Sequence, residues 1–315
     1  MGGIVSLLEK RFHIVAGKGG VGRSTVAAAM GLLSARRGLN TLFVEMNTDG
    51  ALPTLLGHSP SGTEVRELEP HLFAINIRPD AALQEYARMK LHSETAVKVV
   101  FGNDFMKRFL RMVPAIDEIL LLGKTWHLES EKKPDGQPVW DTIIVDSPAT
   151  GHGVSLLRLP NLILSVVGEG PLASDAQNMR ALITDPDRTA FHIVTIPEEL
   201  PVEEALELER SRRETLAVPA GACIVNRVWP EVAPDQEWDV VESALRRAGG
   251  LEGCVDALEW MRARHAGQSK LMERIHADMS VPAWTLPFVF SPSFGRSAIE
   301  LLANHLEAHA EASNE

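Results

Sequence analysis

The feature that most constrains the fold is a glycine-rich segment between a short apolar run and an amphipathic helical stretch. The apolar run covers residues 12–16, the segment reads GKGGVGRST over residues 17–25, and the helical stretch ends near residue 37, before Gly38. Glycines let several backbone N–H groups point at one centre without Cβ clashes, and a helix start adds unpaired N–H groups and the positive end of its dipole. A strand, this loop and a helix in that order predict a binding site for phosphate groups.

The residues of this loop predict which groups of ATP and Mg²⁺ they contact. Ser24 stands where the hydroxyl of a phosphate-binding loop ligates Mg²⁺, and Thr25 is placed to reach an α-phosphate oxygen. The whole segment is expected to bind the nucleotide, and its members are Gly17, Lys18, Gly19, Gly20, Val21, Gly22, Arg23, Ser24 and Thr25.

Two basic residues distinguish this loop from the common phosphate-binding pattern. Arg23 occupies the place of the usual lysine, and we expect its planar, bulkier head to fit the β- and γ-phosphates less well than an ammonium. Lys18 is an addition that is typical of the deviant Walker A motif. In proteins with that motif this lysine reaches across a dimer interface to the partner's nucleotide, so we expect the same of Lys18.

Apolar runs alternate with helical stretches along the rest of the chain, which is typical of an α/β fold with a mostly parallel sheet buried on both faces. The expected strands are 12–16, 41–44, 72–77, 142–145, 191–196, 222–225 and 283–286. The expected helices are 24–37, most of 79–130, 202–216, 238–247, 255–276 and 297–310. The prediction is one P-loop NTPase domain over residues 1–315, with a central sheet flanked by helices and a helical subdomain inserted over about 79–130.

A second motif supplies a carboxylate. The apolar strand 142–145 is followed directly by Asp146, which is the Walker B arrangement. In that arrangement the carboxylate holds Mg²⁺, here through a water molecule. Together with Ser24, Asp146 predicts Mg²⁺-dependent binding of ATP.

Five short segments spread over the chain carry a family resemblance. They read PAIDE at 114–118, DSPATGH at 146–152, LLRLP at 156–160, CIVNR at 223–227 and LPF at 286–288. With the phosphate loop, they are similar to motifs of the arsenite-pump ATPase family (ArsA). That family includes the eukaryotic ATPase that delivers tail-anchored membrane proteins, and the chain resembles its bacterial homologues.

The resemblance implies a cytoplasmic, nucleotide-gated dimer that couples ATP hydrolysis to a conformational change for a client or partner protein. It implies that Lys18 stabilises transition-state charge across the dimer interface. It also implies that Asn226 offers its amide to the edge of adenine and that Pro287 and Phe288 give the base apolar contacts. The dimer partner is either a second copy of this chain or a paralogue, and the sequence does not identify the client.

The segment after the second strand departs from the family's pattern. Family members carry an aspartate there that orients the attacking water, whereas an ungapped alignment puts Asn47 at this position. Asparagine positions water but does not take its proton, so Asn47 and Arg23 together predict slow hydrolysis. Asp49 is the alternative if the loop is shifted. Glu45, at the end of the strand, is either an acid close to Mg²⁺ or a solvated charge.

Composition limits the remaining function classes. The 315 residues carry a formal net charge of -11 and an isoelectric point near 5.5, which disfavours binding to nucleic acid or to anionic membrane. No apolar run reaches the roughly 20 residues of a membrane span, so no stable membrane insertion is expected. Cys223 and Cys254 form no zinc or arsenite cluster and favour a reducing cytoplasm. Acidic residues at 203, 204, 207 and 209 indicate a solvent-facing helix side.

Two other functions stay open on the sequence alone. The first is a nucleotide-dependent switch or scaffold that hydrolyses weakly, including the degenerate half of a heterodimer, and Arg23 and Asn47 motivate it. The second is a positioning ATPase of the ParA/MinD type, which shares the deviant loop. The acidic charge and the lack of a terminal basic amphipathic helix count against this second function.

Overall fold

A single mixed sheet forms the centre of the molecule, for which the computed structural model describes residues 8–48, 50–91, 115–148, 150–249 and 251–312. Its strands are β1 (Phe12–Gly17), β2 (Thr41–Met46), β3 (Arg66–Glu69), β4 (Leu72–Ile77), β5 (Thr142–Asp146), β6 (Thr189–Thr195), β7 (Ala220–Val228) and β8 (Ala283–Pro287). They lie in the order β3-β4-β2-β5-β1-β6-β7-β8. All neighbouring pairs are parallel except β3 and β4, which are antiparallel at one edge.

Helices connect most of the strands, because parallel neighbours need a crossover connection. The helices are α1 (Arg23–Arg36), α2 (Ala51–Leu55), α3 (Pro79–Leu91), α4 (Ile116–Ser130), α5 (Thr150–Val166), α6 (Pro171–Thr184), α7 (Glu199–Ser211), α8 (Asp235–Ala248), α9 (Glu252–Asp278) and α10 (Arg296–Ala312). A π-helical turn, Arg212–Leu216, continues α7. Within the described ranges, no helix has both the length and the apolar character that crossing a membrane requires.

The predicted α/β fold with a mostly parallel sheet is confirmed, and four elements were not predicted. The first is the short helix α2. The edge strand β3 has the sequence RELE, and its polar residues form no apolar run. Helix α5 contains Pro160, although proline is disfavoured in helix interiors, and α6 follows α5 after a short loop.

Helices α3 and α4 are the described parts of the predicted helical subdomain over about 79–130. Residues 92–114 lie outside the described residues, and the boundaries of the subdomain stay a prediction.

Both faces of the sheet are buried, and the strand residues alternate between two apolar layers. In β1, Phe12 and Ile14 belong to one layer and Val15 to the other. Residues of α4, α5, α6 and α7 complete the first layer, and residues of α1 and α10 complete the second. Because both faces are covered, the carboxyl ends of the parallel strands are the natural place for a ligand in such a sheet.

Two buried histidines join β1 to β6 inside the sheet. Nδ1 of His13 lies 3.1 Å from Nε2 of His192, and both side chains are buried. The N–H of Ala222 donates to Nδ1 of His192 at 3.1 Å, so His192 carries its proton on Nε2 and donates to His13. His13 then donates from Nε2 to the carbonyl of Lys10 at 2.7 Å. This chain of hydrogen bonds is complete only when both rings are neutral.

We therefore predict that the free energy of unfolding falls as the pH drops from about 6.5 towards 5. Burial lowers the pKa of His13 to about 4, against the bond to Lys10, and burial with the charge of His13 lowers the pKa of His192. Unfolded histidines titrate near 6.5, so below that pH the unfolded chain binds protons that the folded chain does not bind. Each histidine contributes a slope of up to about 1.4 kcal/mol per pH unit, measurable by chemical unfolding.

The control for this prediction is the double variant His13→Asn/His192→Asn, which keeps hydrogen-bonding groups but does not titrate. Its stability should depend less on pH than that of the wild type. The variant His305→Asn, at an exposed position, should keep the wild-type slope. Equal slopes in the wild type and the double variant would rule out this role for the pair.

Candidate nucleotide-binding site

The glycine loop lies at the carboxyl edge of the sheet, between the central strand β1 and α1. Gly20 and Gly22 have φ values of 89° and 93°, in the left-handed region, and Gly22 is the N-cap of α1. The helix begins at Arg23, one residue before the predicted start, and its first turn contains no acidic residue. The loop therefore leads into the positive end of a helix dipole, as a phosphate site requires.

Asn226 supports this loop from the end of β7. Its Nδ2 donates to the carbonyl of Val21 at 2.9 Å, and its Oδ1 accepts the N–H of Arg227 at 2.9 Å. A Cβ on Gly22 would collide with the same Nδ2, so the close approach requires glycine there. The amide of Asn226 is thus engaged with the phosphate loop in this structure, and its predicted contact with adenine stays a prediction.

Ser24 and Asp146 meet next to the loop. The hydroxyl of Ser24 donates to Oδ2 of Asp146 at 2.5 Å. The second carboxylate oxygen, Oδ1, is buried and has no hydrogen-bond partner among the residues that the structure describes. Burial raises the pKa of Asp146, against the bond from Ser24 and the charge of Arg23. An unpartnered buried oxygen is costly, and a bound cation would remove that cost.

Glu45 is the neighbour of Asp146 in the sheet, since the two residues are in register on β2 and β5. Its side chain is buried, so the interpretation as a solvated charge is wrong. Oε1 accepts the N–H of Leu52 at 3.0 Å, whereas Oε2 has no partner within the described ranges. Burial raises the pKa of Glu45, and the charge of Asp146 adds to this effect.

These residues fit a Mg²⁺ site that a nucleotide completes. Ser24, Asp146 and Glu45 supply oxygen atoms, which are the ligands that Mg²⁺ prefers, and two of those oxygens have no hydrogen-bond partner in the part of the chain that the structure describes. In the described part of the chain, no group of three or more His, Cys, Asp or Glu side chains could hold a metal. Mg²⁺ needs no such cage at a phosphate loop, because phosphate oxygens and water fill its remaining positions.

Arg23 connects the phosphate loop to the segment after β5. Its Nη1 donates to the carbonyl of Ser147, the residue that follows Asp146. Burial lowers the pKa of Arg23, against the charge of Asp146, but a guanidinium stays protonated. Ser147 is itself bonded to β1 through its N–H and the carbonyl of Val15, at 3.2 Å. A phosphate that binds Arg23 would therefore compete with its bond to Ser147.

Lys18 is held by a residue of the same chain. Its Nζ lies 2.7 Å from Oε1 of Glu204 on α7, and the two side chains are 33% and 31% exposed. Glu204 is partly exposed, as the predicted solvent-facing acidic side of this helix requires, whereas the prediction is wrong for Glu209, which is buried and paired with Arg212 at 2.7 Å. The sequence carries no local signal for the pair of Lys18 and Glu204, because the partners are far apart in the chain.

Asn47 lies in the loop after β2, at an exposed position. Its φ of 54° is left-handed, a conformation that asparagine tolerates better than most residues. Its Oδ1 accepts a hydrogen bond from Nη1 of Arg78 at 3.0 Å, and Asn76 donates to the next carbonyl, that of Thr48, at 2.7 Å. Asp49, the alternative residue for this role, lies outside the described residues.

The predicted base contacts lie at the end of β8, the neighbour of the strand that carries Asn226. Phe288 directly follows β8, whose last residue is Pro287, and its N–H donates to the carbonyl of Val228 at 2.8 Å. The ring of Phe288 stacks on Trp229, with centroids 4.2 Å apart. Both predicted residues are therefore at the carboxyl edge of the sheet, while their contact with a base stays a prediction.

Comparison with known families agrees with this geometry. A family model of anion-transporting ATPases matches residues 10–169 and 172–246, which include the glycine loop, Asp146 and Asn226. The chain belongs to the anion-transporting ATPase family. Nucleotide-dependent ATPase activity is a property of this family. The match also confirms the predicted resemblance to the arsenite-pump ATPases.

Similar proteins occur in bacteria, plants and fungi. ATPase BagA of Mycobacterium tuberculosis is 30% identical over 254 residues, which are 78% of this chain and 71% of the relative. ATPase GET3B of Arabidopsis thaliana is 25% identical over 281 residues, covering 74% of this chain and 67% of the relative. ATPase GET3 of Zygosaccharomyces rouxii is 26% identical over 269 residues, covering 71% and 74%.

We predict that Gly22→Ala destabilises the fold by about 1–3 kcal/mol, whereas Gly19→Ala changes stability by less than about 0.5 kcal/mol. Alanine at 22 would adopt an unfavourable positive φ and would collide with Asn226. A Cβ at 19 meets no atom within 4 Å. Chemical unfolding without nucleotide measures both effects, and equal stability of the two variants would contradict the tight contact between loop and Asn226.

Proposed function

We propose that this chain is a Mg²⁺-dependent ATPase that works as a nucleotide-gated dimer and transmits the state of the nucleotide to a partner protein. The observation that carries the proposal is the grouping of the glycine loop with Ser24, Asp146 and Glu45, where two buried carboxylate oxygens have no hydrogen-bond partner among the described residues. The free thiols of Cys223 and Cys254 fit a reducing compartment such as the cytoplasm.

Each part of the site has a separate task in ATP binding. The N–H groups of residues 17–25 and the charge of Arg23 hold the phosphates. Ser24, Asp146 and Glu45 hold Mg²⁺, which, when bound, offsets the charge that develops on the phosphate oxygens. The amide of Asn47 orients the attacking water.

In the proposed dimer, Lys18 exchanges one partner for another. In the single chain its ammonium is paired with Glu204, in a pair that is partly exposed to water. Exposed ion pairs contribute about 0–1 kcal/mol, so little free energy is needed to break this one. Lys18 can then turn to the phosphates in the partner subunit, where excluded water makes its charge more effective.

The segment after β5 is the proposed route from the nucleotide to the partner protein. Phosphates that bind Arg23 release its bond to Ser147, and α5 begins three residues later. Helix α5 packs on α4 and α6. Helix α4 is joined to α3 by an ion pair of Lys124 and Glu85 at 2.6 Å. A shift of Ser147 would therefore reach the helices of the predicted subdomain, which would present the surface for a partner.

The test of this function compares Lys18→Ala with the wild type, with and without ATP and Mg²⁺. We expect the wild type to dimerise with ATP by light scattering, and Lys18→Ala to bind ATP but to lose turnover by about 100-fold or more. The matched control is Arg246→Ala, which also loses an ion-paired basic side chain but lies on α8, outside the loop and the proposed route. A wild type that stays monomeric with ATP, or a fully active Lys18→Ala, would refute the dimer mechanism.

A second candidate function is a switch that hydrolyses ATP slowly. The observation that favours it is Asn47, whose amide accepts from Arg78 and cannot take a proton from water. The bond from Arg23 to Ser147 also favours slow hydrolysis, because it holds the guanidinium at a backbone carbonyl and thus competes with the phosphates for Arg23.

If this candidate is right, Asn47→Asp should raise the rate of ATP hydrolysis by about tenfold or more, because a carboxylate can act as a general base. The substitution keeps the acceptor for Arg78 and tolerates the positive φ. Asn304→Asp makes the same charge change at an exposed position of α10 and should leave the rate unchanged. An unchanged rate in Asn47→Asp, measured by phosphate release, would eliminate the slow-switch function.

A further inference from the structure

Arg78, the residue that follows β4, bridges two residues of the loop after β2. Its Nη1 donates to Oδ1 of Asn47 at 3.0 Å, and its Nη2 donates to the carbonyl of Thr48 at 2.5 Å. A guanidinium suits this bridge, because its planar fork holds several donors in fixed directions. The side chain of one loop residue and the main chain of the next are thus tied to the same group.

The main chain of this loop has a second support in Asn76. This side chain is buried; its Oδ1 accepts the N–H of Thr48 at 3.3 Å, and its Nδ2 donates to the carbonyl of Thr48 at 2.7 Å. Both backbone groups of Thr48 therefore stay bonded when Arg78 is removed. What Arg78 adds to the support from Asn76 is the bond to the side chain of Asn47.

The strand order shows in which direction this bond draws Asn47. The sheet runs β4-β2-β5-β1, so Arg78 lies on the side of β2 that is opposite to β5 and β1. The phosphate loop follows β1, and Asp146 ends β5. Neighbouring strands are about 4.8 Å apart, which puts the end of β4 about 14 Å from the end of β1. The amide oxygen of Asn47 is therefore held towards β4, away from the nucleotide side of the loop.

The chemistry of hydrolysis needs that oxygen on the other side. An attacking water needs an acceptor for one of its hydrogens and must keep a lone pair free for the phosphorus atom. In the amide of Asn47 only Oδ1 is such an acceptor, because Nδ2 donates and would occupy the lone pair of the water instead. The guanidinium of Arg78 has only donors, so the atom that faces it is Oδ1.

We propose that Arg78 is a positioning residue that slows ATP hydrolysis by holding Oδ1 of Asn47 away from the attacking water. This inference rests on the proposed hydrolysis of ATP at the phosphate loop and on the role of Asn47 in it. The rate then depends on the fraction of molecules in which the bond is open. The held segment adjoins the proposed Mg²⁺ site, since the hydroxyl of Thr48 donates to Oε1 of Glu45 at 3.3 Å.

The test is Arg78→Met, which keeps a long side chain but removes every donor. We expect kcat for ATP hydrolysis, measured by phosphate release, to rise about tenfold, because a bond from a charged donor no longer holds Asn47. The KM and the calorimetric Kd for ATP with Mg²⁺ should not change, because Arg78 does not belong to the phosphate loop. The matched control is Arg36→Met, which also removes a guanidinium that donates to an asparagine Oδ1 at 3.0 Å, that of Asn304, and should leave kcat unchanged.

A second pair of variants separates this role from a structural one. In an Asn47→Ala background, Arg78→Met should have no effect on kcat, because no amide oxygen is left to release. A kcat of Arg78→Met equal to or below that of the wild type, or an equal rise in the Asn47→Ala background, would overturn the inference. A wild type that does not bind ATP would instead refute the proposed function.

Folding is checked by thermal unfolding, and Asn76 should keep Arg78→Met close to the wild type. If Arg78→Met does not fold, Arg78→Lys takes its place, because its single ammonium cannot reproduce the fork and should give a smaller rise in kcat, about threefold. An Arg78→Lys variant as slow as the wild type would then count against the inference.

Discussion

The parallel pairing of β1 with β5 and β6 is the constraint on which the rest of the structure depends. Val15 on β1 is in register with Asp146, and Gly17 is in register with Val194. A slip of one residue would turn every side chain of a strand to the other face of the sheet. The carboxylate of Asp146 would then leave the hydroxyl of Ser24. The backbone bonds of three strands thus hold the oxygen atoms and the glycine loop together.

The pairing of β5 with β2 on its other side places two carboxylates next to each other in the protein interior. Asp146 and Glu45 are buried side by side, and burial raises the pKa of both. Arg23 offsets only part of this charge, and two carboxylate oxygens stay without hydrogen-bond partners within the described ranges. The folded chain therefore bears a cost that a cation and phosphates would remove. Ligand binding and stability are coupled in such a site, because a ligand that binds only the folded state stabilises it.

Local patterns account for what the sequence could predict. The strand, the glycines and the helix start of the phosphate loop are contiguous, and short-range backbone geometry determines them. Seven of the eight strands coincide with apolar runs, whereas β3 is polar and gains its pairing from β4. The pairs of Lys18 with Glu204 and of Asn226 with Val21 could not be predicted, since only the folded chain brings them together. The burial of Glu45 depends on strand order for the same reason.

The acidic residues of α7 connect the phosphate loop to α9. Glu204 pairs with Lys18, and the preceding residue, Glu203, pairs with Arg274 of α9. Both pairs are partly exposed, so each is weak and easily exchanged. In the proposed dimer, Lys18 would leave Glu204 for phosphates in a water-excluded interface, where the lower effective dielectric constant strengthens their attraction. In that proposal the nucleotide, rather than the ion pairs, sets the direction of the exchange, and α7 is the element that both the loop and α9 contact.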